Sequence, residues 1–315
     1  MRLDFPALIG LSSNAMAVLL GLLAAGTWGA ADFAGGLATR KAAPSRVVLI
    51  AHGVSFLLLL AASAALPAVL PAAGVLSGLT SGVTGGVALM LFYEALSLGA
   101  MGLAAALAGL LTAVLPVVIA IRTEGAPAPV QVAGFALAAA AIVLIAYAPA
   151  PPGTATGRKA LVFAMVAGCG FGLQLVLLHL SVASGEHGGA GTLVRALTLS
   201  RMGGVCMALV AQGMTLWRGR RRLLPEPSQV DGGAWVMRAV SLPVLATLAG
   251  LLDTAGNGLY MLSSLSGRLD VAAVLSSLYP GGTIVLAALF LRERATRLQA
   301  VGMGLALGAV ALIAA

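Results

Sequence analysis

Ten stretches of about twenty apolar residues follow one another along this chain of 315 residues, separated by short clusters of charge, proline and glycine. A helix needs on the order of twenty apolar residues to cross the hydrocarbon core of a bilayer. Only 9% of the residues are charged and 60% are hydrophobic, which leaves too little polar surface to cover a soluble globule. The pattern therefore predicts an all-α integral membrane protein with about ten transmembrane helices.

The predicted helices form two sets of five, one on either side of a Pro-Ala-Pro-Pro-Gly segment at 149–153. Because proline interrupts helical hydrogen bonding, we assign 149–159 as a linker between a first unit, 15–148, and a second unit, 160–315. The first unit is predicted to contain helices at 15–37, 47–66, 74–98, 101–121 and 130–148. The second is predicted to contain helices at 160–183, 192–216, 240–262, 271–291 and 298–315.

The two units also share an order of residues. Each contains a tyrosine, a glutamate, a glutamine and a glycine in sequence: Tyr93, Glu124, Gln131 and Gly134, then Tyr260, Glu293, Gln299 and Gly302. At a constant offset of 149 residues, His52 matches Arg201. An odd number of spans per unit makes the second copy enter the membrane from the opposite face. We therefore expect two inverted five-helix repeats around one shared site.

The sequence lacks the patterns typical of ATP hydrolysis, proteolysis or metal binding. Cys169 and Cys206 lie inside apolar stretches without neighbouring metal ligands, and His179 and Glu186 are too sparse to form a metal site. The net charge of +8 comes from short basic clusters between apolar stretches, which favours anchoring beside a membrane over binding to nucleic acid. We expect no enzymatic activity, no cofactor, no metal and no nucleic-acid partner.

Polar side chains inside the apolar spans are the candidate functional residues. An ionisable side chain costs about 2.5–3.5 kcal/mol in a membrane helix, so it should face a cavity or a partner. Helical spacing puts Trp28 and Asp32 on one face, and Asp253 and Asn257 on another. The aromatic residues either stack on a substrate or anchor the protein at the membrane interface. The predicted substrate-binding or coupling residues are Trp28, Asp32, His52, Tyr93, Glu94, Gln174, Arg201, Asp253, Asn257, Tyr260 and Tyr279.

Arg201 and Asp253 lie at similar depths in consecutive predicted helices, and two interpretations of them stay open. In one, they neutralise each other as a structural ion pair. In the other, Arg201 binds an anionic group of the substrate while Asp253 exchanges a proton. His52 is either a neutral, hydrogen-bonded side chain or a group that titrates near neutral pH and serves coupling.

Residues 272–280 and the Arg-Glu-Arg turn at 292–294, followed by Gln299 and Gly302, resemble the ninth and tenth helices of the EamA-type drug/metabolite transporters. The first unit is similar to the same family at Trp28, Phe33, Tyr93, Glu124, Gln131 and Gly134. The resemblance covers roughly 15–315. It implies a ten-helix secondary carrier with a central cavity, and it does not imply one substrate.

We therefore expect a multi-pass transporter of the cell membrane, plasma or inner, that exports small metabolites such as amino acids or related organic compounds by alternating access. Protons are the candidate coupling ion, and the protein is expected to act as a monomer or a homodimer in the lipid bilayer. An uncoupled channel or facilitator, and a membrane-embedded enzyme, are the alternatives. Most Lys and Arg residues flank the loops after the odd-numbered helices, which would place both termini outside. Carriers that resemble this chain more often have both termini in the cytoplasm, so the orientation stays open.

Overall fold

The computed structural model describes residues 12–97, 101–146, 158–184, 189–217, 240–290 and 296–314, and the regular structure in these ranges is entirely helical. The helices are α1 (Ser13–Thr39), α2 (Pro44–Ala65), α3 (Ala72–Ser97), α4 (Met101–Thr123), α5 (Pro129–Ala146), α6 (Arg158–Ala183), α7 (Ala190–Trp217), α8 (Leu242–Ser266), α9 (Leu269–Ser276), α10 (Tyr279–Phe290) and α11 (Arg297–Ala314). By length and composition, α1, α2, α3, α6 and α7 can each cross a membrane. The predicted all-α class is confirmed.

The predicted ninth helix, 271–291, is wrong in one respect, because it is broken into α9 and α10. Pro280 has no amide proton to give to the carbonyl of Ser276, and its ring disfavours helical backbone just before it. Ser277 and Leu278 form a turn at the break, with their amides bonded to carbonyls one turn back in α9. The other helix ends lie within a few residues of their predicted positions.

Local sequence signals set several of the helix boundaries. The Ser12 hydroxyl accepts a hydrogen bond from the Ala15 amide at the start of α1, as an N-cap residue does. Proline occupies the first turn of α2 and of α8, where its missing amide proton costs nothing. Gly125 has a φ of 84° in the turn between α4 and α5, a left-handed conformation that glycine adopts without steric cost.

The helices pack in matched pairs across the two units. α1 packs against α8, and α6 packs in the same way against α3. α1 also contacts α9 and α10, while α6 contacts α4. α2 packs on α7, and α5 packs on α11. This is the pairing expected if a two-fold axis relates the units. Their exact limits stay a prediction, because most of the linker at 149–159 lies outside the described residues.

Close helix contacts repeat across the units at glycine residues. A Cβ atom added to Gly82 in α3 would collide with the carbonyl oxygen of Ser200 in α7. A Cβ atom added to Gly250 in α8 would collide with the carbonyl oxygen of Ala51 in α2, and Ala51 and Ser200 are separated by the 149-residue offset of the repeat. Small residues allow this close approach of helix backbones in a membrane.

A second pair of glycine contacts fixes the register of the remaining cavity-lining helices. A Cβ atom on Gly29 in α1 would lie 2.8 Å from the carbonyl oxygen of Tyr279, and one on Gly172 in α6 would lie 2.9 Å from the carbonyl oxygen of Thr112. Gly29 therefore corresponds to Gly172, and Tyr279 corresponds to Thr112. These correspondences relate positions in the two units by contacts alone, without a sequence alignment.

The first and last described helices meet at one end of the bundle. The Asn14 side chain at the start of α1 donates a hydrogen bond to the carbonyl oxygen of Ala314 at the end of α11, at 3.0 Å. At the opposite end, the Ser45 hydroxyl donates to the Gln212 side chain at 2.8 Å. The bundle ends are therefore distinct, and which of them faces the cytoplasm stays a prediction.

Candidate functional site

A cavity of about 40 Å³ lies between helices of both units. The first unit contributes α1, α3 and α4 to its walls, and the second contributes α6, α8 and α10. This volume has room for roughly three water molecules, so a metabolite would fit only after the helices move apart. The lining residues are Trp28, Asp32, Leu89, Thr112, Phe171, Gln174, Leu175, Asp253, Asn257 and Tyr279.

The lining positions are related in pairs. The registers set by the glycine contacts relate eight of them: Trp28 with Phe171, Asp32 with Leu175, Leu89 with Asn257, and Thr112 with Tyr279. Two of these pairs each combine a strongly polar residue with a leucine. The carboxylate comes from the first unit and the amide from the second, so the cavity is symmetric in position and asymmetric in chemistry.

Asp253 links the cavity to a buried ion pair. Its Oδ2 atom lies 2.7 Å from Nη1 of Arg201 and 4.0 Å from Nε2 of His52. Arg201 Nη1 also lies 3.2 Å from His52 Nε2, so the two residues that the repeat relates touch each other. Arg201 is only 1% exposed and does not line the cavity. This geometry supports the structural interpretation of Arg201.

Asp32 has no such partner. No described residue donates a hydrogen bond to its carboxylate or forms an ion pair with it. Asp253, the other carboxylate of the cavity wall, lies on α8. The position of Asp32 on α1 is one helical turn beyond Trp28, whose indole nitrogen donates to the backbone carbonyl of Asp253 at 3.3 Å. Asp32 is therefore a carboxylate that reaches the cavity without neutralisation.

Two amide side chains also reach the cavity. Asn257 is 1% exposed, and its Nδ2 atom has no hydrogen-bond partner among the described residues. Gln174 packs against Gly85, where any Cβ atom would collide with the Gln174 amide. Gly85 corresponds to Asp253 by the α3 and α8 register, so the first unit makes room for an amide where the second carries a carboxylate.

The remaining predicted residues lie outside the lining. Tyr260 is fully buried, its ring centroid 6.0 Å from that of Trp28 and its hydroxyl without a described hydrogen-bond partner. Tyr93 is buried with its ring 6.2 Å from Phe92. Glu94 is half-buried on α3 and does not line the cavity. The structure therefore brings six of the eleven predicted residues to the cavity wall and His52 and Arg201 to the layer behind Asp253.

Four of the lining residues are not predicted from the sequence: Leu89, Thr112, Phe171 and Leu175. Apolar side chains cost nothing in a membrane helix, and the Thr112 hydroxyl satisfies itself on the carbonyl of Ala108 at 2.8 Å. The cost of placing polar groups in a membrane therefore does not single these residues out. Each of the four is the counterpart, in the register set by the glycine contacts, of a residue that the sequence does predict.

A second charged cluster lies at one end of the bundle, outside the spans. Arg268 donates from Nε and Nη2 to the buried Asp270 carboxylate at 3.1 and 2.8 Å, and from Nη2 to the Gly125 carbonyl at 2.8 Å. The Glu124 carboxylate accepts a hydrogen bond from the Leu269 amide at 3.2 Å. Partial burial and the nearby Asp270 raise the pKa of Glu124, against the opposing effects of Leu269 and Arg268. This cluster ties the first unit to the start of α9.

The model of the EamA-like transporter family matches residues 158–315. The chain belongs to this family. The matched region contains α6 to α11, and with them Gln174, Arg201, Asp253, Asn257 and Tyr279. EamA-like proteins are multi-span membrane transporters of drugs and metabolites, so this chain is a multi-pass membrane protein that works in a lipid bilayer on small molecules.

Solved structures share the fold of this chain. One of them, described only as a crystal structure of a protein, superposes with a TM-score of 0.66 over 95% of this chain and 96% of that chain, at 17% sequence identity. At this identity the likeness shows the shared fold alone. No curated protein sequence matches the chain. Within the described residues, no three His, Cys, Asp or Glu side chains converge on a possible metal position.

Proposed function

We propose that this EamA-like protein is a secondary active transporter that exports small metabolites, such as amino acids or related organic compounds, by alternating access. The observation that carries the proposal is the cavity, which corresponding positions of the two units line in pairs. When two related units rock against each other, a site between them can open to either side of the membrane in turn.

The polar side chains of the cavity support a transport role over a purely structural one. Asp32, Gln174 and Asn257 come from three different helices and converge on one small space. A membrane helix carries such groups at a cost, and they are commonly found on substrate and ion pathways. A membrane-embedded enzyme would need several catalytic side chains that converge on one point. The acidic side chains that line the cavity are Asp32 and Asp253, and Asp253 is paired with Arg201.

Asp32 is also the residue that we propose for proton coupling. Asp253 forms an ion pair with Arg201 at 2.7 Å, whereas Asp32 has no described ion-pair partner. A carboxylate that is alternately protonated and occupied by substrate couples the movement of one to the other. In this proposal Arg201 and His52 keep Asp253 in place and do not contact the substrate.

The proposal is tested with purified protein in proteoliposomes that carry an imposed proton gradient. Candidate substrates are first found by a thermal-shift screen of amino acids, organic anions and amines, since a ligand of the folded state raises the apparent unfolding temperature. We expect uphill accumulation of a hit that a protonophore abolishes. An uncoupled channel would equilibrate the compound without accumulating it, and an enzyme would convert it chemically.

A matched pair of variants shows whether transport uses the cavity. Leu89→Trp fills the cavity from α3, where Leu89 is 8% exposed, while Leu307→Trp places the same ring on a site of α11 that is 75% exposed. We expect the first variant to lose transport and the second to retain it. Equal transport by both, with both proteins folded, would overturn the proposed pathway.

A further inference from the structure

The charges around the cavity do not balance. Arg201 neutralises Asp253 at 2.7 Å. His52 Nε2 lies 3.2 Å from the same guanidinium, and because a guanidinium can only donate, this nitrogen accepts and the imidazole is neutral. Asp32 remains, and no described Lys, Arg or His pairs with it. With Asp32 ionised, the cavity and its supporting layer therefore carry a net negative charge.

Aromatic rings make up much of the wall near this carboxylate. Trp28 lies one helical turn before Asp32. The Tyr279 ring meets the Trp28 ring edge to face, with ring centroids 6.5 Å apart. Phe171 lines the cavity from α6. Rings of this kind attract organic cations through the negative faces of their π systems, most strongly where water is excluded. The aromatic wall therefore favours a cationic ligand, as the Asp32 carboxylate does.

A second polar group points to the same ligand from the other unit. The Asn257 amide is 99% buried, lines the cavity, and leaves Nδ2 without a described hydrogen-bond partner. Its counterpart in the first unit is Leu89, so a leucine serves the same place in the fold. A buried amide donor without a partner is costly, and an oxygen atom of a ligand would satisfy it.

From these contacts we infer that the cavity binds a small organic cation: a protonated amine at Asp32, an aromatic or apolar body along Trp28 and Tyr279, and a hydroxyl or carbonyl oxygen at Asn257. The inference rests on the proposed function and narrows its substrate from amino acids to amines. A zwitterionic amino acid leaves the net charge of the cavity uncompensated, whereas a monocation neutralises it. The asymmetry of the two units then gives the ligand a fixed direction in the cavity.

Four phenols that differ only in their tail test this inference by their binding to the full-length protein in detergent. Tyramine carries an ammonium group, tyrosine is a zwitterion, tyrosol ends in a neutral hydroxyl, and 3-(4-hydroxyphenyl)propanoate ends in a carboxylate. We expect tyramine to bind about ten- to a hundred-fold more tightly than tyrosol, the range expected for one hydrogen bond to a charged group. Tyrosine and the propanoate should bind no better than tyrosol.

Substitutions assign the preference to Asp32. Asp32→Asn should bring tyramine down to the affinity of tyrosol, and Asp32→Glu should keep the preference. Glu124→Gln is the control, since it removes the same charge from the turn after α4, at the end of the bundle and outside the cavity lining. This control should bind tyramine as the wild type does, and Asp32→Asn should remain folded because it removes an unpaired charge.

The outcomes separate the inference from the function on which it rests. Tighter binding of tyrosine or the propanoate, no binding of tyramine, or a tyramine preference that survives in Asp32→Asn would overturn the cation site. If proteoliposomes still carry another phenol of the set and Leu89→Trp blocks it, the transport function stands without that site. If tyramine binds through Asp32 and no tested compound crosses the membrane, the transport function fails and the site remains.

Discussion

The two units line the cavity with corresponding helices and bring different chemistry to it. Where the first unit supplies Asp32, the second supplies Leu175, and where the second supplies Asn257, the first supplies Leu89. The glycine contacts between helices recur in both units. Close helix packing therefore requires small residues at corresponding positions of both units, whereas the side chains that line the cavity can differ between the units.

The units also differ in how proline interrupts the helix beside the cavity. α4 runs without a break through Pro116, whereas α9 and α10 are separate helices on either side of the turn before Pro280. Pro116 cannot donate to the carbonyl of Thr112, and Thr112 corresponds to Tyr279 at the start of α10. Each proline therefore loosens the backbone near one member of this lining pair, to a different degree.

The glycine contacts give the largest expected effect and the most direct way to break the comparison. Gly82→Ala and Gly250→Ala each place a Cβ atom against a backbone carbonyl that cannot rotate away. We expect each variant to lose about 3 kcal/mol of folding free energy, the upper range for overpacking. The measurement is the apparent unfolding temperature, together with the monodisperse fraction in size-exclusion chromatography.

Gly213→Ala is the control for both variants. Gly213 lies on α7, the helix that Gly82 contacts, and a Cβ atom there meets nothing within 4 Å. Alanine should match or exceed the wild-type stability, because glycine costs a helix about 1 kcal/mol relative to alanine. If only one of Gly82 and Gly250 proved sensitive, the correspondence between α3 and α8 would be wrong.

The second comparison is between Arg201 and His52, which the repeat relates. Arg201→Met leaves Asp253 without its cation. We expect the free energy of unfolding to fall by about 2–3 kcal/mol. This is below the usual cost of breaking a fully buried ion pair, because Asp253 reaches the cavity. His52→Met should cost less than 1 kcal/mol, since the imidazole lies 4.0 Å from the same carboxylate. Thermal unfolding of the purified variants measures both.

Adding Asp253→Asn to Arg201→Met should recover most of the lost stability, because neither charge is then left alone. Recovery of stability with transport still absent would agree with Asp253 lining the cavity. A folded Arg201→Met protein that alone loses all binding would instead restore the substrate-anion role that the sequence left open for Arg201.

The sequence predicts the ten spans because long apolar segments are unfavourable in water. It predicts the buried polar residues because ionisable side chains are costly inside a bilayer. Asp32, Asp253 and Asn257 stand out for that reason. The break before Pro280 is not predicted, although the Pro-Gly-Gly that follows Tyr279 is a breaker signal, because the apolar run around it is long enough for one helix. Which polar residues meet across the units depends on tertiary register, and hydropathy contains no information on that register.

The third comparison exchanges one lining residue for its counterpart. Asp32→Leu copies Leu175 and removes an unpaired carboxylate from an apolar setting. We expect the apparent stability to rise by about 1 kcal/mol, a fraction of the insertion cost because the cavity can hydrate the side chain, while transport is lost. A higher unfolding temperature with no transport would separate function from stability at this position, whereas a destabilised protein would show that Asp32 has a structural partner.

The smallest expected effect concerns the cluster at which the first unit contacts the start of α9. Partial burial raises the pKa of Glu124 in the folded protein, so the folded state holds this proton more tightly than the unfolded state does. The resulting stabilisation is complete at acid pH and is lost as the pH rises through the folded pKa. Glu124→Gln cannot titrate, and its amide oxygen can still accept the Leu269 hydrogen bond. We therefore expect the unfolding temperature of the wild type to fall, relative to the variant, as the pH rises above the ordinary glutamate pKa of about 4.3. A difference with the opposite slope would mean that the Leu269 amide and Arg268 outweigh burial, and that the ionised form of Glu124 holds the two units together.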